Sequence, residues 1–317
     1  MTNKVGRPQK IHFFGFNAGN GSLKLVGKEF DRRIISYKSN EYIPDVEGSV
    51  LVDGVGFTVG EQALYGSQLG RRTVDDVYAK TQDLDSLYLG ALAHYDNLTS
   101  VMHNKVVLSS HAYSSLKEEL KKQLSKPERI VILAGKEVRL TTELLMIVPE
   151  GYGAVYNLLY KLATLDIGRG TSILTPYSSG KPGKERTSSI AVQTFYEIIS
   201  EKMRKFNGGI PGNIEAIQFA LEKGSFIVQY KGNEINIEKI YKDGLQEWWE
   251  ALLPVINYAI DMQTNGYKII CIGGGVALPH LPEKLREVKF NPVKKSPEMA
   301  DARGLYDIAL KRGASNA

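Results

Sequence analysis

Two short glycine-rich stretches carry the residues whose types and spacing could do chemistry. The first is Asn17-Ala18-Gly19-Asn20-Gly21-Ser22, with Lys24 just beyond it; the second is Asp166-Ile167-Gly168-Arg169-Gly170-Thr171. With the residues before them, Phe16 and Leu165, both read apolar, Asn or Asp, apolar, Gly, any residue, Gly, hydroxyl. A glycine bend after a strand can aim several backbone N–H groups at one spot, which makes a nest for anionic oxygens. Lys24 would add a full positive charge, and Ser22 and Thr171 would add hydroxyl donors. Two copies about half a chain apart imply two similar halves, each presenting one anion-facing bend. The plain alternative for either copy alone is an ordinary hairpin turn.

The elements that must position these bends follow from the apolar pattern. Ile11, Phe13, Phe14 and Phe16 predict a buried strand leading into the first bend, and Asn20-Gly21 predicts a tight hairpin turn. Strands are expected at Phe30–Lys38, Ser49–Val59 (bent at Asp53-Gly54), Lys105–Ser109, Arg129–Leu133, Lys136–Leu140 and Leu144–Val148. Helical spacing is expected at Asp83–Asn97, Ser114–Gln123, Ala154–Leu162, Ser188–Phe206, Glu238–Met262, Pro279–Val288 and Glu298–Lys311, with a short helical segment at Gly60–Leu64. Ser178–Lys184 and Asn291–Pro297 read as loops, and Ser225–Tyr230 with Glu234–Ile237 as a hairpin. Lys268–Ile272 reads as a buried strand closed by Gly273-Gly274-Gly275. Strands and helices mix throughout, so the class is α/β.

Composition bounds the rest. The chain has 317 residues, long for one core and sufficient for two domains of roughly 100–200 residues each. It is 43% hydrophobic and 24% charged, ordinary values for a globular protein. The net charge of +5 comes without a run of like charges, which disfavours direct nucleic-acid binding. Lys117–Lys126 mixes both signs and reads as a solvated helix face. The single cysteine, Cys271, allows no internal disulfide, is consistent with a reducing cytoplasm, and lies in an apolar run as a small hydrophobe would. No apolar run reaches membrane-spanning length. Residues 1–10 are basic, lack an apolar signal core and read as a short leader. His12, His94, His103, His111 and His280 show no metal spacing. Trp248 and Trp249 read as packing residues, and the spacing of Gly273–Gly275 does not fit a dinucleotide fingerprint.

The order of these motifs resembles the actin and Hsp70 ATPase superfamily, and within it the bacterial ParM/StbA actin-like proteins that segregate plasmids. Pro149-Glu150-Gly151 before the second bend, Val59-Gly60-Glu61-Gln62-Ala63 after the early hairpin, and Ala300-Asp301-Ala302-Arg303-Gly304-Leu305 near the end add to it. The resemblance implies an actin-like (ribonuclease H-like) two-domain fold with a nucleotide cleft between duplicated halves. Residues 1–163 plus 300–317 would form domain I, with the first phosphate loop and the connecting helices. Residues 164–299 would form domain II, with the second phosphate loop and the adenosine motif.

Site roles follow from the same resemblance. Asn17, Gly19, Asn20, Gly21, Ser22 and Lys24 would form the first phosphate loop; Gly168, Arg169, Gly170 and Thr171 the second. Gly273, Gly274 and Gly275 would let the adenosine approach bare backbone. Glu201 would contact the ribose. Asp166, and Asn17 through water, would hold the hydration shell of Mg²⁺. Glu150 would orient or deprotonate the attacking water; its plain alternative is an acid favoured by a helix N-terminus. The cofactors implied are ATP or ADP and Mg²⁺, the partners other copies of the chain in a filament and a DNA-binding adaptor, without direct membrane or nucleic-acid contact, and the location cytoplasmic. The family carries Asp where this chain has Asn17, which implies weaker Mg²⁺ handling and slower hydrolysis. Ser172-Ile173 stands where many relatives have Thr-Asp. Arg169 is bulky for a phosphate turn, and could contact phosphate or face solvent. The other readings are a non-hydrolysing nucleotide switch or scaffold, and a small-molecule kinase of the same superfamily.

Overall fold

A computed structural model describes residues 10–65, 71–72, 81–110, 113–158, 161–230 and 232–315. His111 and nearly all of the basic leader lie outside the described residues. The chain divides into two compact units, Met1–Ala154 with Asp301–Ala317, and Val155–Ala300.

The first unit is built on a sheet whose strands are β1 (Ile11–Ala18), β2 (Ser22–Gly27), β3 (Phe30–Ile35), β4 (Tyr37–Ser39), β5 (Ser49–Val52), β6 (Val55–Val59), β7 (Arg71–Arg72), β8 (Val101–Ser109), β9 (Lys126–Leu133) and β10 (Lys136–Val148). They are ordered β3-β2-β1-β8-β10-β9-β5-β6-β4-β7. The strand expected at Phe30–Lys38 is therefore two, separated at Ser36. The strands expected at Lys136–Leu140 and Leu144–Val148 are one, β10, whose pairing with β8 shifts register between Leu144 and Met146. Such an irregularity bends a strand without ending it. At Asp53-Gly54 both residues have positive φ, 51° and 76°, as a two-residue hairpin turn requires.

Alternation places Phe14 and Phe16 on one face of β1, under helix α1 (Leu84–Leu92), where they meet Tyr88 edge-on. Helix α2 (Lys117–Leu124) adds Leu120 and Leu124 to the same core. The opposite face of β1 receives the C-terminal helix, Ala300–Ser315. Gly15 admits it: a Cβ there would collide with the helix backbone at Ala302 and Tyr306.

The second unit carries a smaller sheet, from β11 (Leu162–Ile167), β12 (Ser172–Ser178), β13 (Lys181–Pro182), β14 (Arg186–Ser188), β17 (Lys268–Ile272) and β18 (Asn291–Pro292), in the order β13-β12-β11-β17-β18 with β14 beside β12. A separate hairpin joins β15 (Ile227–Tyr230) to β16 (Asn233–Asn236). The helices are α3 (Val192–Met203), α4 (Ile214–Glu222), α5 (Glu238–Thr264) and α6 (Leu281–Glu287), and the C-terminal helix is α7. Phe195 of α3 packs on Tyr241 and Trp248 of α5, and the Trp248 indole N–H donates to the Ala191 carbonyl at 2.9 Å. Trp249 is half-buried beneath the Lys284 ammonium, so both tryptophans are packing residues.

Some expectations need correction. The helix expected at Ala154–Leu162 does not form: Gly151–Asn157 is a run of turns opened by Gly151 at φ 83°, and Leu162 already begins β11; residues 159–160 lie outside the described residues. The helix expected from Ser188 begins only at Val192, because Ser188 pairs with Ser172 and Ala191 is extended. Asn291–Pro297 and Ser178–Lys184 each contain a two-residue strand. Helix α4 was not expected, although Asn213 caps it by accepting from the Ala216 N–H at 2.8 Å.

Candidate functional site: two matching glycine bends

The two glycine bends are the same structure built twice. In the first, β1 and β2 pair antiparallel to Ala18↔Leu23, and the Gly19 N–H donates to the Ser22 carbonyl at 3.1 Å. In the second, β11 and β12 pair to Ile167↔Ser172, and the Gly168 N–H donates to the Thr171 carbonyl at 2.9 Å. The sequence repeat thus matches residue for residue, with four residues between the last paired positions in each. On its other side each leading strand has a parallel partner. Asn17 lies opposite Ser109 of β8, and Asp166 lies opposite Ile272 of β17.

The tight two-residue turn expected at Asn20-Gly21 is not the geometry used. A type I′ turn needs positive φ at both central residues, and neither Gly19, Gly21, Gly168 nor Gly170 has it. Gly19 and Gly168 instead sit where a side chain would be crowded. A Cβ on Gly19 would stand 2.6 Å from Lys24 Nζ and 2.9 Å from the Ser22 carbonyl oxygen, and one on Gly168 would stand 3.0 Å from the Thr171 carbonyl oxygen.

Around the first bend the side chains form a bonded cluster. Lys24 Nζ lies over Gly19 and donates to Asn17 Oδ1 at 3.2 Å. Asn17 Nδ2 donates to Ser109 Oγ at 2.8 Å and to Asp301 Oδ2 at 2.9 Å. Ser109 Oγ donates to the same Asp301 oxygen at 2.6 Å, and the Gly153 N–H donates to Asp301 Oδ1 at 2.8 Å. Asn17, Ser109 and Asp301 are buried, while Lys24 and Glu150 are half-buried. Burial pushes the Asp301 carboxyl above the usual carboxylate range. The three hydrogen bonds oppose that shift, and the Glu150 charge adds to it. Gly153 also meets Gly304 backbone to backbone, which brings α7 close enough for Asp301 to reach the turn.

Around the second bend the backbone does more of the work. The Gly168 and Arg169 carbonyls accept from the N–H groups of Val192 and Gln193, at 3.1 and 2.9 Å, so the bend satisfies two donors of the α3 N-terminus. The Arg169 guanidinium donates to Gln218 of α4 and, at 3.0 Å, to Gln193 of α3. It is held by these two side-chain amides. Gly273, at φ 93°, lies against this bend: a Cβ there would collide with Asp166 Oδ1 and stand 2.6 Å from the Ile167 carbonyl oxygen. A Cβ on Gly275 would stand 2.9 Å from that same oxygen, whereas one on Gly274 would meet nothing within 4 Å. Asp166, Gly168–Thr171 and Gly273–Gly275 are therefore brought together in one unit.

Glu201 is not brought to this group by any contact of its own. It sits nine residues along α3 from Val192, about 13 Å at the rise of an α-helix, and pairs with the exposed Arg204 at 2.6 Å. That hydrogen bond holds the Glu201 carboxyl below the usual range. Cys271 is buried, which pushes its thiol up and away from nucleophilic use. Among the described residues no group of His, Cys, Asp and Glu has the arrangement of a metal cage, and no helix is long and apolar enough to cross a membrane. The structure adds Ser109, Gly153 and Asp301 to the residues that spacing had singled out.

Residues 15–153 match the family model of the N-terminal domain of actin-like proteins. The archaeal actin homolog Ta0583, in complex with ADP, superposes with a TM-score of 0.74 at 18% identity, covering 95% of this chain and 100% of that one. The chain has the actin-like fold. Two further actin-like structures agree. Bacillus thuringiensis ParM with AMPPNP gives a TM-score of 0.73 at 17% identity, over 96% of this chain and 100% of that one. A 15-stranded ParM filament from Clostridium botulinum gives 0.70 at 16% identity, again over 96% and 100%. No curated protein matches the sequence. The actin-like resemblance read from motif order thus holds for the fold across almost the full chain.

Proposed function

We propose that this chain binds ATP through its two glycine bends, assembles with other copies into filaments, and hydrolyses the nucleotide slowly. The observation that carries the reading is the bend itself, formed once in each unit with one register, one closing hydrogen bond and one parallel neighbour strand. The solved relatives support it through what they hold: ADP in one, AMPPNP in another, a filament in a third.

The residues present fit a nucleotide. Lys24 keeps an ammonium at the first bend, where it would neutralise phosphate charge. Gly274 leaves open space where a side chain would otherwise stand, which suits a nucleoside against bare backbone. The bends Gly19–Ser22 and Gly168–Thr171 would supply the phosphates with backbone donors from the residues after Gly19 and Gly168, whose own N–H groups close the bends, and hydroxyl donors from Ser22 and Thr171. Asp166 would hold water of a Mg²⁺ shell, with Asn17 a weaker contributor through water. ATP with Mg²⁺ supplies the phosphoanhydride bond and most of the local charge; the chain orients and neutralises. Glu150 would orient water for attack, its carboxylate kept half-buried at the turn that Gly153 and Asp301 fix. Glu201 would reach the ribose by opening its pair with Arg204. Domain limits of 1–163 plus 300–317 and 164–299 belong to this reading, as does a role in plasmid DNA segregation through a DNA-binding adaptor protein.

Negative-stain electron microscopy and light scattering with ATP and Mg²⁺ test it. Filaments and a rise in scattering that reverses as ATP is consumed are expected. Absence of assembly at every concentration, together with no binding of a fluorescent ATP analogue, would overturn it. The buried, fully engaged Asn17 amide favours one second reading, a nucleotide switch that does not hydrolyse. Filaments that form with ATP and release no phosphate would select that reading.

A further inference from the structure

Asn17 and Asp166 occupy the same place in the two bends, one neutral and one acidic. The first bend nevertheless has an acid. Asp301, reaching in from α7 across 284 positions of sequence, places Oδ2 2.9 Å from Asn17 Nδ2. Asn17 suits both of its charged neighbours, since its N–H₂ donates to the Asp301 carboxylate and its carbonyl accepts from the Lys24 ammonium. An ionised aspartate at position 17 could only accept. It would face the Asp301 carboxylate across a hydrogen-bond distance in a buried site, with Glu150 adding a further negative field.

We infer that the acid of the first bend has been transferred to Asp301, with Asn17 as its matched neutral partner, so that Asn17 is fitted to the buried cluster of this chain. Asp301 is a positioning residue. Its two oxygens tie together the end of β1 at Asn17, the end of β8 at Ser109 and the turn at Gly153 that follows Glu150. One negative charge is accommodated here, and a second is not. The exchanged pair, Asn17→Asp with Asp301→Asn, is equally well satisfied. The new amide on α7 would accept from Gly153 and donate to the new carboxylate on β1, which would also accept from Ser109 and Lys24.

A double-mutant cycle on the full chain without nucleotide tests this, independently of whether the protein binds ATP. Asn17→Asp is expected to lower Tm by about 5 °C or more. Asp301→Asn, which sets two amide donors against each other, is expected to lower it comparably. The double variant is expected to regain at least half of the summed loss. An Asn17→Asp protein as stable as the parent, or a double variant that falls to the sum of the two singles, would overturn the inference. Should Asn17→Asp fail to fold, the yield and Tm of the double variant decide the question: recovery upholds the exchange, and equal failure refutes it.

Discussion

The carboxylate of Asp166 occupies the space that a side chain on Gly273 would need. The glycine is held at φ 93°, where any other residue is strained, and its missing side chain lets β17 end directly beside the second bend. Gly273→Ala should therefore cost about 2–4 kcal/mol, because the methyl group meets Asp166 and the Ile167 backbone and the backbone conformation is penalised as well. Gly274→Ala is the control. Nothing stands within 4 Å of its Cβ, so stability should change by less than about 0.5 kcal/mol. Urea denaturation measures both, and ATP-analogue titration of the Gly274 variant reports whether that open space takes the nucleoside, with weakened binding expected.

Lys24 separates charge from packing. Its half-buried ammonium rests over Gly19 and donates to a neutral amide oxygen, a modest contribution to the fold. Lys24→Met keeps most of the aliphatic stem and should leave Tm within about 4 °C. Loss of a charge-assisted contact to phosphate should weaken ATP-analogue binding by about tenfold or more. Equal affinity in the two proteins would remove Lys24 from the nucleotide site.

Both bends were legible because their chemistry is local: Gly-x-Gly after an apolar strand with Asn or Asp two residues ahead, written twice. The turn type was misread because Asn20-Gly21 carries the composition of a two-residue turn, while strand pairing ends one residue earlier on each side. The Asp301 cluster was not legible. Its partners lie 148, 192 and 284 positions away, and only the seating of α7 on Gly15 and Gly153 brings them together. The α7 segment carries a motif in its sequence, but nothing in that motif signals that its aspartate is buried. Ala154–Leu162 has apolar spacing suited to a helix, yet Gly151 and Gly153 turn the chain there instead. Helix α4 did leave a signal, Asn213 ahead of Ile214, Ile217 and Leu221, which the glycines before it obscured.

Glu150 combines a half-buried carboxylate with proximity to the Asp301 charge. Glu150→Gln keeps its shape and removes the negative field. If it positions water, single-turnover phosphate release should fall by about 10²-fold or more with ATP-analogue affinity nearly unchanged. Unchanged phosphate release would assign this acid to the turn alone.

The buried acid also gives stability an unusual dependence on pH. Asp301 has a folded pKa raised above its ordinary 3.8, chiefly by burial and further by Glu150, against the hydrogen bonds from Ser109, Asn17 and Gly153. Between the ordinary value and the raised one the folded state therefore holds more protons than the unfolded state, and stability falls as pH rises through that window. An aspartate with a depressed pKa would do the reverse. The contribution is fully present below the ordinary value and is lost once pH exceeds the folded one. Asp301→Asn cannot titrate, so the difference in unfolding free energy between the parent and this variant should be largest in favour of the parent at the acid end and shrink as pH rises, levelling off above the raised pKa. Glu150 is the other carboxylate acting on Asp301. Repeating the comparison in the Glu150→Gln background isolates Asp301, and the window should narrow from its upper end because one cause of the raised pKa is gone. Urea titrations from about pH 4 to 8 measure the difference at each pH, and a difference independent of pH in both backgrounds would show that Asp301 keeps an ordinary pKa in the folded chain.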